Sequence, residues 1–134
     1  MIKNNNSQKK IEKNILKDKT ILVTGAGDGI GRSAAISYAS QGATVILLGK
    51  TKVKLEKVYD EIEKSNYPTP LISLMDLSKA DGNDYQQLVN SLKKEYLQLD
   101  GLLLNAAILG DRSPIEHYDV AKWVQTIHIN LTTQ

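Results

Sequence analysis

The segment Thr24-Gly25-Ala26-Gly27-Asp28-Gly29-Ile30-Gly31 constrains this chain more than any other. It directly follows Thr20-Ile21-Leu22-Val23, a β-branched and aliphatic run that reads as a buried strand, expected over Thr20–Thr24. An alanine-rich stretch with helical spacing follows. The spacing Gly25-x3-Gly29-x-Gly31 therefore marks a tight turn from the end of a strand into the start of a helix. Such a handover belongs to a crossover connection, and crossovers build parallel sheets.

The chain repeats that alternation. A first helix is expected over about Gly29–Gln41, with Ile30, Ala34 and Tyr38 on one face and Gly42 as its terminating glycine. A continuous apolar strand covers Ala43–Leu48. A second helix, Lys52–Lys64, turns Leu55, Val58 and Ile62 inward, and Tyr67-Pro68-Thr69-Pro70 breaks the chain after it. A third strand is expected at Leu71–Leu74 and a third helix at Asn83–Tyr96, with Tyr85, Leu88, Val89 and Leu92 as its stripe. A fourth strand spans Gly101–Leu104. After a loop holding Gly110 and Pro114, a final helix carries Val120, Trp123, Val124, Ile127 and Leu131. Residues 1–18 read as a flexible polar tail, with a helical turn near Ile11–Leu16. The expected fold for residues 19–134 is a doubly wound α/β parallel sheet of order 3-2-1-4, truncated after the fourth strand–helix unit.

Composition removes several classes. A chain of 134 residues makes one domain at most. The net charge of +2 comes mostly from the lysines of the tail, which reads as a solvated arm rather than a nucleic-acid surface. With no cysteine there is no disulfide and no cysteine–zinc site, and His117 and His128 stand alone, so no metal is expected. No apolar run reaches the length of a membrane span, and the first residues lack a signal peptide's apolar core; a cytoplasmic protein is expected.

The glycine loop has a definite chemistry. Gly25 permits the tight turn, Gly29 lets backbone approach a phosphate with no Cβ in the way, and Gly31 lets the helix pack closely on the strand. The helix start offers free N–H groups and a partial positive charge to a dinucleotide pyrophosphate. Without a ligand it would simply be a glycine-rich turn.

From Lys19 to Gln134 the chain resembles the N-terminal, cofactor-binding half of the short-chain dehydrogenase/reductase superfamily, whose loop Thr-Gly-x3-Gly-x-Gly is matched by Thr24–Gly31. The resemblance implies a Rossmann-type fold, with Thr24, Gly25, Asp28, Gly29, Ile30 and Gly31 around the cofactor. Asp76-Leu77 matches the family's Asp-Leu pair, implying adenine contact; the other reading of Asp76 is a turn or cap residue. Asn105-Ala106-Ala107 resembles Asn-Ala-Gly at the cofactor floor, with Asn105 tying strands together. Ala107 stands where the family has glycine and is expected to crowd the backbone there. Asn130 matches the family's active-site asparagine, which holds a water in a proton relay; its other reading is a solvated helix residue.

NAD-preferring relatives place an acid after the second strand to bind the ribose. This chain has Lys50 there, so NADP is preferred and NAD is the alternative, although Asp28 disfavours the extra phosphate. The family's catalytic Ser and Tyr-x3-Lys lie beyond the matched region. Tyr118-Asp119-Val120-Ala121-Lys122 matches the latter literally, but it precedes Asn130 and reads as a helix start, not a catalytic pair. The resemblance thus implies an NAD(P)-dependent oxidoreductase acting on a small carbonyl or alcohol, of which these residues are the non-catalytic half. The alternative is an inactive dinucleotide-binding fragment or interaction protein. The apolar stripe of the last helix leads us to expect a homo-oligomer.

Overall fold

The computed structural model describes residues 14–134. Four strands form one parallel sheet: β1 (Thr20–Thr24), β2 (Thr44–Gly49), β3 (Leu71–Leu74) and β4 (Gly101–Leu103), in the order β3-β2-β1-β4. This is the expected order, and β1 and β3 have the expected bounds. In register, Val23 sits beside Leu47 on one side and Leu103 on the other. The carboxyl ends of the strands therefore meet along one edge of the sheet.

Strand side chains alternate between faces, so each strand feeds two cores. On one face Ile21, Val23, Val45 and Leu47 pack beneath helices α1 (Gly29–Ser40) and α2 (Lys52–Lys64). On the other, Leu22, Ile46 and Leu48 meet Leu77 and the stripe of α3 (Gly82–Glu95). Leu55, Val58 and Ile62 of α2 are fully buried, as the spacing predicted. Each contributes about 1.5–3 kcal/mol by leaving water. The stripe of α3 is shallower: Tyr85, Leu88 and Leu92 are half-buried and Val89 is exposed. A reciprocal cap between Asp81 and Asp84 secures its start.

Two expectations about helices are corrected. The fully buried face of α1 is Gly31, Ala35 and Ala39; of the expected face, Tyr38 packs half-buried on the core, whereas Ile30 is 80% exposed. The helix lies so close to the sheet that only the smallest residues fit between them, so size rather than hydrophobicity selects the face. The last helix is not continuous. An α-helix, α4 (Val120–Ile127), passes into a π-helical turn over His128–Thr132. Its stripe is there, but Val120, Trp123, Val124, Ile127 and Leu131 are all exposed.

The expected tail lies mostly outside the described residues, as does the first half of its helical turn. The described part, residues 14–18, is a turn. Leu16 packs on the α1–α2 core, and its N–H donates to the Gln41 carbonyl at 2.9 Å. Below the sheet, Asp100 ties the starts of β1 and β4 together by accepting from Thr20 N (2.9 Å) and Lys19 Nζ (3.0 Å).

Candidate functional site

A cleft of about 360 Å³ opens at the carboxyl ends of the strands. It lies where β1 hands over to β2 on one side and β4 on the other, the point at which doubly wound sheets bind ligands. The glycine loop supplies Gly25, Asp28 and Gly29 to its wall, and the end of β2 supplies Gly49 and Lys50. Asp76 and Leu77 line it after β3, and Asn105, Ala106 and Ala107 after β4.

The glycines differ in what surrounds them. A Cβ on Gly31 would collide with the Gly25 carbonyl and stand 2.5 Å from Asn105 Nδ2. Gly25 has φ +66°, and a Cβ there would lie 3.0 Å from Ala106 Cα. Gly29 has φ +51° but nothing within 4 Å of a Cβ position. The loop is therefore clamped against β4 on one side and open on the other.

Thr24 and Asn105 form the clamp. The buried Thr24 Oγ1 accepts from Asn105 N (2.9 Å) and Ala106 N (3.0 Å), which exhausts its acceptor capacity. Asn105 Nδ2 donates to the Thr24 carbonyl at 3.0 Å. Asn105 thus joins the ends of β1 and β4, the tie expected of it. Neither Thr24 nor Gly31 lines the cleft; both shape it from beneath, while Ile30 points into solvent.

Asp28 caps α1: its Oδ1 accepts from Gly29 N at 2.8 Å, and its Oδ2 pairs with Lys54 at 2.6 Å. The Lys54 ammonium, more than the Gly29 N–H, holds the Asp28 carboxyl below its ordinary range. Asp76 Oδ1 accepts from Ser78 Oγ (2.7 Å) and Ser78 N (3.0 Å), which lowers its pKa, with a smaller contribution from Lys50. Asp76 is therefore a turn residue by its bonds and a cleft residue by its position. Ala107 does not adopt positive φ, so its backbone needs no glycine. Ala107 itself lines the cleft.

Asn130 is bound to the backbone of one residue: Oδ1 accepts from Ile108 N (2.8 Å) and Nδ2 donates to Ile108 O (2.9 Å). It sits in the π-turn, with Ile129 and Ile108 reaching the cleft instead. Tyr118 and Lys122 lie away from the cleft. Tyr118 Oη accepts from Asp111 N (3.0 Å), and Lys122 pairs with Asp111 Oδ2 (2.5 Å). That bond to Asp111 raises the Lys122 pKa and commits its ammonium to Asp111, away from the cleft.

Sequence reasoning passed over Gly27, Lys54, Ser78 and Gln134. Gln134 Nε2 donates to the carbonyls of Ala106 (2.9 Å) and Ile129 (3.0 Å), and its Oε1 accepts from Thr24 Oγ1 (3.0 Å). Nothing in the sequence marks these contacts in advance; the Asp-x-Ser spacing at Asp76 and Ser78 was the one available signal. Among the described residues no three His, Asp or Glu side chains gather as a metal site requires, and no helix is long and apolar enough to cross a membrane.

A strand–glycine loop–helix clamp at the edge of a 3-2-1-4 sheet defines a dinucleotide-binding class of fold. The chain belongs to the short chain dehydrogenase family, whose profile matches residues 19–134. It is 40% identical over 120 residues to the Escherichia coli oxidoreductase YciK, itself uncharacterised, covering 90% of this chain and 48% of YciK. A Pseudomonas syringae structure assigned as a short chain dehydrogenase superposes with a TM-score of 0.89 at 41% identity, covering 91% of this chain and 49% of that one. A Shigella flexneri structure of the same assignment, complexed with NADP, gives 0.88 at 40% identity, covering 91% and 51%. The chain spans about half the length of the relatives it matches.

Proposed function

We propose that this chain forms the NADP-binding half of an oxidoreductase that exchanges hydride between nicotinamide and a small carbonyl or alcohol. One observation carries the reading: the glycine loop is closed against Asn105 and Ala106 yet open beside Gly29, at a helix start that lines the cleft. A pyrophosphate needs that combination, with backbone N–H groups held rigidly and no Cβ in front of them.

In this reading Gly25, Gly29 and the N-terminus of α1 hold the pyrophosphate, with Asp28 capping that helix at the edge of the cofactor site, Thr24 and Gly31 supporting it from below and Ile30 flanking it. Lys50 meets the ribose 2′-phosphate. No acid stands at the end of β2, and the Shigella flexneri relative is complexed with NADP, so NADP is favoured and NAD is second. Asp76 and Leu77 face the adenine; Asn105, Ala106 and Ala107 form the floor beneath the nicotinamide end. The bound nicotinamide supplies or receives the hydride. Because the Asn130 amide is committed to Ile108, a water-holding role falls to its backbone carbonyl in the π-turn. Association with a second copy through the exposed stripe of α4 belongs to the same reading.

Titration of the protein with NADPH, followed by cofactor fluorescence, tests this. Saturable binding is expected, abolished by Gly29→Asp or Gly31→Asp. Retained binding in Gly29→Asp would remove the loop from the site.

A further inference from the structure

An acid in a phosphate-binding loop is a poor neighbour for a second phosphate. Asp28 lines the cleft and is 74% exposed, so in isolation its charge would repel a 2′-phosphorylated ribose. It is not isolated. Lys54, in the first turn of α2, places its ammonium 2.6 Å from Asp28 Oδ2. Lys54 does not line the cleft, whereas Lys50 does. One lysine thus faces the ligand space and the other faces the acid.

The local backbone enables that approach. Gly27 lies between the loop and α2, and a Cβ there would stand 2.9 Å from Lys54 Cβ and 3.5 Å from Leu55 Cδ2. The missing side chain lets α2 close on the loop. Leu55, fully buried next door, fixes the helix at that position. Asp28 is also held from the other side, since its Oδ1 caps Gly29 N. The carboxylate therefore has both oxygens engaged by the protein.

We propose that Lys54 is a specificity-positioning residue: by pairing with Asp28 from behind the loop it cancels a repulsive charge and so admits a 2′-phosphorylated dinucleotide. This rests on the NADP reading of the cleft. Lys54 acts through Asp28, not on the ligand. Its effect should therefore vanish when Asp28 is neutral, which a direct phosphate ligand would not show.

The test is a double-mutant cycle on cofactor affinity, with the Kd of NADP and of NAD measured by calorimetry for the wild type, Lys54→Met, Asp28→Asn and the double variant. Asparagine retains the helix cap, so the loop keeps its geometry. Lys54→Met should weaken NADP roughly tenfold, the scale of one exposed unit charge acting on a dianion, and change NAD by less than about twofold. The double variant should return NADP affinity to within about threefold of wild type. A double variant as weak as Lys54→Met, or equal losses for NADP and NAD, would overturn the proposal. Tight NADP binding unaffected by Lys54→Met would overturn it while leaving the NADP reading intact. A wild type that binds neither dinucleotide would remove both.

Discussion

Gly31 and Gly29 are two residues apart in one loop, and the structure assigns them different work. Replacing each by alanine separates the clamp from the site. At Gly31 the new methyl group meets the Gly25 carbonyl and the Asn105 amide, both fixed by the β1–β4 junction. Overpacking against backbone costs about 1–3 kcal/mol. Displacing Asn105 Nδ2 from the Thr24 carbonyl removes a hydrogen bond of about 1 kcal/mol. Alanine's better helix propensity returns up to about 1 kcal/mol. The net expectation is a loss of roughly 1–4 kcal/mol. At Gly29 nothing stands within 4 Å, so only the left-handed backbone matters. There alanine costs about 1–2 kcal/mol, offset by about 0.4–1 kcal/mol from a less flexible unfolded chain.

Urea unfolding followed by circular dichroism measures both, provided the slope stays constant so that midpoint shifts report stability. Gly31→Ala should lower the midpoint clearly, while Gly29→Ala should shift it by less than half as much. NADPH binding should nevertheless fall sharply in Gly29→Ala, because its methyl group occupies the open side of the loop. A Gly31→Ala protein as stable as wild type would refute the packing argument. A Gly29→Ala protein with full NADPH affinity would refute the assignment of the open side to a ligand.

The clamp has a second handle in Thr24→Val, which leaves the N–H groups of Asn105 and Ala106 without an acceptor and should cost roughly 2–4 kcal/mol in the same urea experiment. Lys50→Glu should weaken NADP at least tenfold more than NAD by calorimetry, and equal effects would place the 2′-phosphate elsewhere. Asp81→Ala should destabilise the protein by about 1 kcal/mol through loss of the cap on α3, read from the unfolding midpoint. Asp100 has a pKa lowered first by the Thr20 N–H and then by Lys19. Its folded form therefore binds protons more weakly than its unfolded form. The stability it adds is present above the ordinary aspartate range, near pH 4, and is lost as pH falls through its lower folded value. The acid limb of a stability–pH profile should flatten in Asp100→Asn.

The strand order and the position of the cleft were legible because they depend on periodicity and turn chemistry, which are local. Thr20–Thr24 and Leu71–Leu74 were delimited by hydrophobic runs between clear breaks, and the structure keeps both bounds. The inward face of α1 was not legible. A helix wheel weights Ile30 above Gly31 and Ala35, and only the distance between helix and sheet reverses that weighting. Lys54 was hidden for a related reason. In sequence it is one lysine among several on a charged helix, and its significance comes from Gly27 letting that helix touch the loop.

The bonds of Asn130 are not those its place in the sequence suggests. Its position after the fourth strand suggested an amide facing solvent or a water. Instead both amide atoms grip the backbone of Ile108, as a neighbouring strand would. That grip ties the last helix to the loop after β4 from within the π-helical turn, which begins at His128. A π-turn widens the helix and shifts its backbone hydrogen bonds by one residue, which occurs often at functional sites. Asn130→Asp should therefore disturb the loop at Ile108, since a carboxylate cannot donate to its carbonyl, whereas Asn130→Gln keeps both bonding groups on a longer arm. Amide exchange at Ile108 would report the difference. Strong protection in wild type and rapid exchange in Asn130→Asp is the expected pattern, and protection unchanged in Asn130→Asp would mean that the loop holds itself without the asparagine.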